Sequence, residues 1–100
     1  MGMMKRLIVL GAGESGVGAA VLAAQKGYEV FVSDGGKIAG KYKEELEKKG
    51  IDYEEGKHSE GKILSGTEVM KSPGIPDKNA IVRQIRAKGI PVISEIELAY

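Results

Sequence analysis

Cysteine is absent from this 100-residue chain, which excludes disulfides and thiolate metal sites and suits a reducing compartment such as the cytoplasm. Only one histidine is present, His58, so a nitrogen-ligated metal centre lacks donors. That histidine sits in a polar stretch with no partner to orient it and no nucleophile nearby, and no catalytic role is assigned to it. An excess of one charge is also missing: 15 basic residues face 14 acidic ones, and no long block of either sign occurs. Duplex nucleic acid and anionic membranes are therefore not expected partners. The longest apolar stretch near the amino terminus, Leu7 to Leu10, runs straight into glycine and is far too short for a signal peptide or a membrane span. The chain also lacks a G-x-x-x-x-G-K-[ST] loop and any hydrolase triad, and its carboxylates pair only on solvated helix faces.

Glycine is abundant instead, with 15 residues, as suits a layered α/β protein with many tight strand-to-helix turns. The length suits one domain able to bury a real core, and residues 1–100 are read as that domain. Leu7-Ile8-Val9-Leu10 has the continuous apolar character of a parallel strand covered on both faces. From Ser15, the residues Val17, Ala20, Val21 and Ala24 recur at helical steps, and Gly27 follows Lys26 as a C-terminal cap. Val30 to Asp34 forms a second strand. Lys41 to Lys49 is a charge-laced surface helix with Tyr42 and Leu46 on one face.

Beyond Gly50, Ile51 to Glu54 alternates like an edge strand. Gly56 to Gly66 is loop-like, with at most a short helix around Ile63-Leu64. Glu68 to Lys71 is a fourth strand, and Ser72-Pro73-Gly74-Ile75-Pro76 is a stiff loop. Asp77 or Asn79 caps a helix reaching Lys88, Pro91 to Ile93 is a fifth strand, and Ser94 to Leu98 opens a helix that the chain does not finish, as expected of a piece of a longer protein. Strands alternating with helices predict a Rossmann-like, doubly wound parallel sheet of order 3-2-1-4-5, with its switch point between strands one and four. That order brings Gly11 to Gly16, Asp34 and Ser72 to Gly74 to one carboxyl edge.

Gly11-Ala12-Gly13-Glu14-Ser15-Gly16 fits G-x-G-x-x-G after a strand and at the start of a helix. The first glycine allows the turn, the second lets a pyrophosphate approach the backbone, and the third lets helix pack on strand. Asp34, 23 residues beyond Gly11, stands where the fingerprint places an acid for a ribose or a base N–H, a role favoured over the alternative of capping the turn before Gly35-Gly36. The helix amides would hold phosphates without a basic side chain, with the Ser15 hydroxyl capping the helix and donating to an oxygen. Glu14 is expected to turn outward, since a carboxylate beside a pyrophosphate is repelled by roughly 1 kcal/mol. Ser72 and the Gly74 amide could serve the same phosphates from across the switch point, or form only a stiff connector.

Together with the runs Val30 to Asp34, Ser72 to Pro76 and Gly89 to Leu98, this loop resembles the N-terminal domain of the Mur ligases, most of all the MurD type. The resemblance implies a domain that binds the UDP end of UDP-N-acetylmuramoyl-L-alanine in an ATP-dependent amide ligase of peptidoglycan synthesis. ATP and magnesium would belong to a central domain, and D-glutamate to a third, neither of which lies in these residues. No cofactor is then expected in this part, and catalysis would need the rest. By resemblance Gly13, Glu14, Ser15 and Gly16 hold the diphosphate, Asp34 contacts uracil, and Ser72, Pro73 and Gly74 form the second phosphate-side loop. Where better-known members follow the acid with threonine and arginine, this chain has Gly35, Gly36 and Lys37, so that either uracil is held more loosely or Lys37 takes the arginine's place. The rival readings are a nicotinamide-dinucleotide module and an interaction domain whose glycine loop is structural.

Overall fold

The computed structural model describes residues 5–72, 75 and 78–93. Five parallel strands, β1 (Arg6–Leu10), β2 (Glu29–Asp34), β3 (Asp52–Glu55), β4 (Glu68–Lys71) and β5 (Val92–Ile93), form one sheet of order β3-β2-β1-β4-β5. This is the expected order, with its reversal at the β1–β4 boundary. Four helices connect the strands: α1 (Glu14–Gln25), α2 (Gly40–Lys48), α3 (Glu60–Ile63) and α4 (Ala80–Ala87).

The unbroken apolar run in β1 follows from burial on both faces. Leu7 and Val9 join Val17, Ala20, Ala23, Val30, Val32 and Leu46 on the α1–α2 side. Ile8 and Leu10 join Phe31, Ile63, Val69, Val82 and Ile85 on the α3–α4 side. The buried face of α1 is built from Gly16, Val17, Ala19, Ala20 and Ala23, small residues that let the helix lie close on the strands. Gly27 ends this region with φ +91°, the left-handed conformation expected of a helix-terminating glycine.

Three local features are settled by the packing, the first of them a change from the expected cap. Helix α1 begins at Glu14, with Gly13 rather than Ser15 in the capping position and no side chain closing the cap, because the backbone enters the helix directly from the glycine turn. The short helix allowed around Ile63-Leu64 in the loop-like segment spans Glu60–Ile63, anchored by the fully buried Ile63. In β3 the buried residue is Glu54 rather than its apolar neighbour Tyr53; Glu54 meets hydrogen-bond donors beside the end of β2, which compensate its burial. The helix foreseen from Ser94 lies outside the described residues.

Candidate functional site

The cleft at the carboxyl edge has a volume of about 520 Å3 and is bordered by the β1–α1 turn from Gly11 to Gly16, by Asp34 and Gly35, by His58, and by Ser72, Ile75 and Asn79. A larger depression of about 630 Å3, bordered by Arg6, Phe31, Asp52 and Lys62 among others, contains none of these groups. It lies where β1 and β3 begin, away from the edge at which open α/β sheets bind ligands.

The three glycines of the turn have distinct jobs. Gly11 has φ +97°, and a Cβ there would lie 2.6 Å from Ser72 Oγ, so it provides both the turn and the close approach of the β4 exit. A Cβ on Gly16 would fall 1.9 Å from the Gly11 carbonyl oxygen, so this residue lets the helix seat against the turn. Gly13 differs: a Cβ there meets nothing within 4 Å, and its φ of −83° is open to any residue. Protein packing does not require that glycine; a ligand approaching the backbone would. The first turn of α1 aims its amides and the positive end of its dipole at this space, where the helix's own carbonyls cannot reach.

Both Asp34 oxygens are engaged by backbone. Oδ2 accepts from the Ala12 amide at 2.8 Å and Oδ1 from the Gly36 amide at 2.8 Å. The carboxylate therefore ties the glycine turn to the end of β2 and also caps its own turn, and its remaining lone pairs border the cleft. Ser72 receives β1 through its amide, which donates to the Leu10 carbonyl at 3.0 Å, and its Oγ lies 3.4 Å from the Gly11 carbonyl oxygen. Glu14 is exposed and Ser15 half-buried on the rim. Lys37 is exposed and does not border the cleft. Pro73 and Gly74 lie outside the described residues.

His58 is the residue sequence reasoning passed over. It was expected to have no orienting partner, yet its Nδ1 lies 2.7 Å from Ser33 Oγ. Ser33, wholly buried, also donates to Glu54 Oε2 at 2.8 Å, and Glu54 accepts from the Ser59 amide at 2.7 Å and the Ser59 hydroxyl at 2.6 Å. Burial pushes the Glu54 carboxyl up, but the hydrogen bonds from Ser59 and Ser33 and the charge of Lys57 outweigh it and hold the group below its ordinary value. The neighbouring Glu55 is held low by the Lys43 ammonium 2.5 Å away and by the Ile38 amide. Only the pairing of a β2-end serine with a post-β3 histidine could have betrayed this network, and it requires the sheet order first.

A family model described as "Mur ligase MurD-like, N-terminal domain" matches residues 5–94. The chain belongs to this family. It is 63% identical over 93% of its length to the UDP-N-acetylmuramoylalanine–D-glutamate ligase of Porphyromonas gingivalis, covering 21% of that protein. It is 57% identical over 96% of its length to the ligase of the same name from Bacteroides fragilis, covering 22% of it. The chain thus spans about a fifth of the length of these curated relatives. Among solved structures, it matches the UDP-N-acetylmuramate:L-alanyl-gamma-D-glutamyl-meso-diaminopimelate ligase of Neisseria meningitides with a TM-score of 0.78 at 25% identity, covering 93% of this chain and 29% of that one.

Among the described residues no group of three or more His, Asp or Glu could hold a metal ion, and the sequence has no lysine-bearing phosphate loop. No helix among the described residues is long and apolar enough to cross a membrane.

Proposed function

We propose that this domain binds the UDP end of UDP-N-acetylmuramoyl-L-alanine within a longer ATP-dependent ligase that adds D-glutamate to that substrate in peptidoglycan synthesis. The open space at Gly13 carries the reading: of the three motif glycines, it alone has no neighbour within 4 Å that a side chain would meet. It lies beside a helix N-terminus suited to a diphosphate. The family and the names of its relatives supply the rest.

In this reading Gly13, Glu14, Ser15 and Gly16 cradle the diphosphate, and Ser72, Pro73 and Gly74 approach it from across the switch point. Asp34 and Gly35 meet the nucleoside, with Lys37 as a cation nearby. ATP and magnesium are held by the central domain of the longer protein, and the carboxylate of the substrate reacts there. The cysteine-free composition suits the cytoplasm, which we take as the site of action.

Amide NMR spectra recorded while titrating UDP-N-acetylmuramoyl-L-alanine, UMP and NAD test the proposal. Shifts at Glu14 to Gly16, Asp34 and Gly74 with the uridine compounds but not with NAD are expected. A response to NAD alone would overturn it in favour of a dinucleotide module.

A further inference from the structure

Phosphates seated over the Gly11–Gly16 turn leave the nucleoside to extend toward the end of β2, the usual course across such a sheet. There the cleft wall is made by Asp34, Gly35 and His58. A Cβ built on Gly35 would come within 3.2 Å of the imidazole Nε2, the nearest ring atom, with Cδ2 at 3.7 Å. Its other nitrogen, Nδ1, turns away toward the buried Ser33. No described residue forms a hydrogen bond with Nε2.

The roles within this network follow from counting protons. Ser33 has one hydroxyl proton and three neighbours: Glu54 Oε2 at 2.8 Å, the Lys57 carbonyl at 3.2 Å and His58 Nδ1 at 2.7 Å. A carboxylate is the strongest acceptor of the three, and charge-assisted bonds of this kind are the strong ones. With the proton given to Glu54, Ser33 meets His58 through a lone pair, so Nδ1 must carry the hydrogen. In this tautomer Nε2 carries no hydrogen and is an acceptor at the cleft.

We propose that His58 reads the nucleoside: Ser33 and Glu54 lock the ring in its Nδ1–H tautomer, and Nε2 accepts a hydrogen bond from an N–H or O–H of the uridine. His58 is thus a binding residue, while Ser33 and Glu54 are positioning residues that act through it. The inference rests on the UDP-binding reading above and adds a selective contact to it. Such a buried chain differs from a bare loop contact, because the ring can neither rotate nor exchange tautomers without breaking the bond to Ser33.

The test compares UDP and inorganic pyrophosphate as ligands of the 100-residue chain and its variants. His58→Phe keeps a flat ring but has no acceptor, and should weaken UDP binding by about three- to tenfold, the range of one neutral hydrogen bond, with pyrophosphate unchanged. His58→Gln restores an acceptor and should recover most of the loss. Ser33→Ala should weaken UDP by a similar factor while mixing the ring tautomers, seen directly in long-range 1H–15N spectra. The wild-type spectrum should show Nδ1 protonated and Nε2 bare. UDP binding unaltered by His58→Phe, equal losses for UDP and pyrophosphate, a glutamine variant as weak as the phenylalanine one, or the opposite tautomer would each overturn the proposal while leaving the UDP reading intact. A wild-type chain that ignores UDP would overturn both.

Discussion

Two glycines in one helix should respond oppositely to the same substitution. At Gly16 an alanine Cβ would sit 1.9 Å from the Gly11 carbonyl oxygen and 3.0 Å from its carbon, with Val9 Cγ1 at 3.4 Å behind it. The nearest atom belongs to backbone, so no side-chain rotation can relieve the clash; helix and turn must part by more than about 1 Å, enough to disturb close packing. Overpacking of this kind costs about 3 kcal/mol at the upper end of its usual range. Better helix propensity returns about 1 kcal/mol, leaving a net loss near 2 kcal/mol from a total of roughly 5–15 kcal/mol. For a domain of this size that lowers the melting temperature by about 8–16 °C. Gly18, two residues along on the exposed face, has nothing within 4 Å of the added carbon. Gly18→Ala should therefore stabilise by about 0.5–1 kcal/mol, a rise of roughly 2–8 °C. Circular dichroism melts of the two variants read both values. A Gly16→Ala protein as stable as wild type would refute the claim that the helix is clamped on the turn, and equal losses at both positions would show that the contact is not the cause.

Three further predictions concern the cleft and its supports. Gly13→Ala should leave the protein folded, at a cost of about 1 kcal/mol or less for the poorer helix cap, yet weaken UDP binding at least tenfold in the same titration that leaves Gly18→Ala unaffected. Asp34→Asn can accept only one of the two amide bonds now made to Ala12 and Gly36, and urea unfolding should show a loss of about 1–3 kcal/mol. Glu54 has a folded-state pKa below its ordinary value of 4.5. Its contribution is therefore complete above that value and disappears as pH falls through the lower folded value. Urea midpoints measured from neutral to acid pH should consequently fall more steeply for wild type than for Glu54→Gln below about pH 4.5, with Glu55, also held low, supplying part of the slope that remains.

The sheet order could be read from the sequence because each strand carries its own signal. Leu7 to Leu10 is apolar without alternation, and Gly11, Gly27, Gly50 and Gly89 each take a positive φ at an element's end, where only glycine is comfortable. Alternating strands and helices then leave few arrangements open. What escaped were features set by contacts between distant elements. Within residues 51–54 nothing local says that Ser33 and Ser59 will converge on Glu54 and compensate its burial. The same holds for the start of α1, where Ser15 looks like a better cap than Gly13 until the turn is closed by the Ala12 amide bonding to Asp34.

That last bond changes what the acid means. An acidic residue at the end of β2 is usually read as a ligand for ribose, but here one lone pair on each of its oxygens already serves the backbone, so Asp34 brings only its remaining acceptor capacity to a ligand. Other groups with hydrogen-bonding capacity open at the cleft can share the discrimination. Gly35 and Gly36 carry no side chain, and Lys37 stands outside the border. The remaining polar side chain beside the end of β2 is His58, fixed from beneath by Ser33. The bareness of Gly35 is then part of the same arrangement: a larger residue would press on the imidazole at 3.2 Å, so Gly35→Ala should shift the His58 ring resonances and weaken UDP binding, with little change in melting temperature. If Gly35→Ala instead left both the ring and the affinity untouched, the link between this glycine and the imidazole would be refuted, since its backbone has no positive φ that would require glycine.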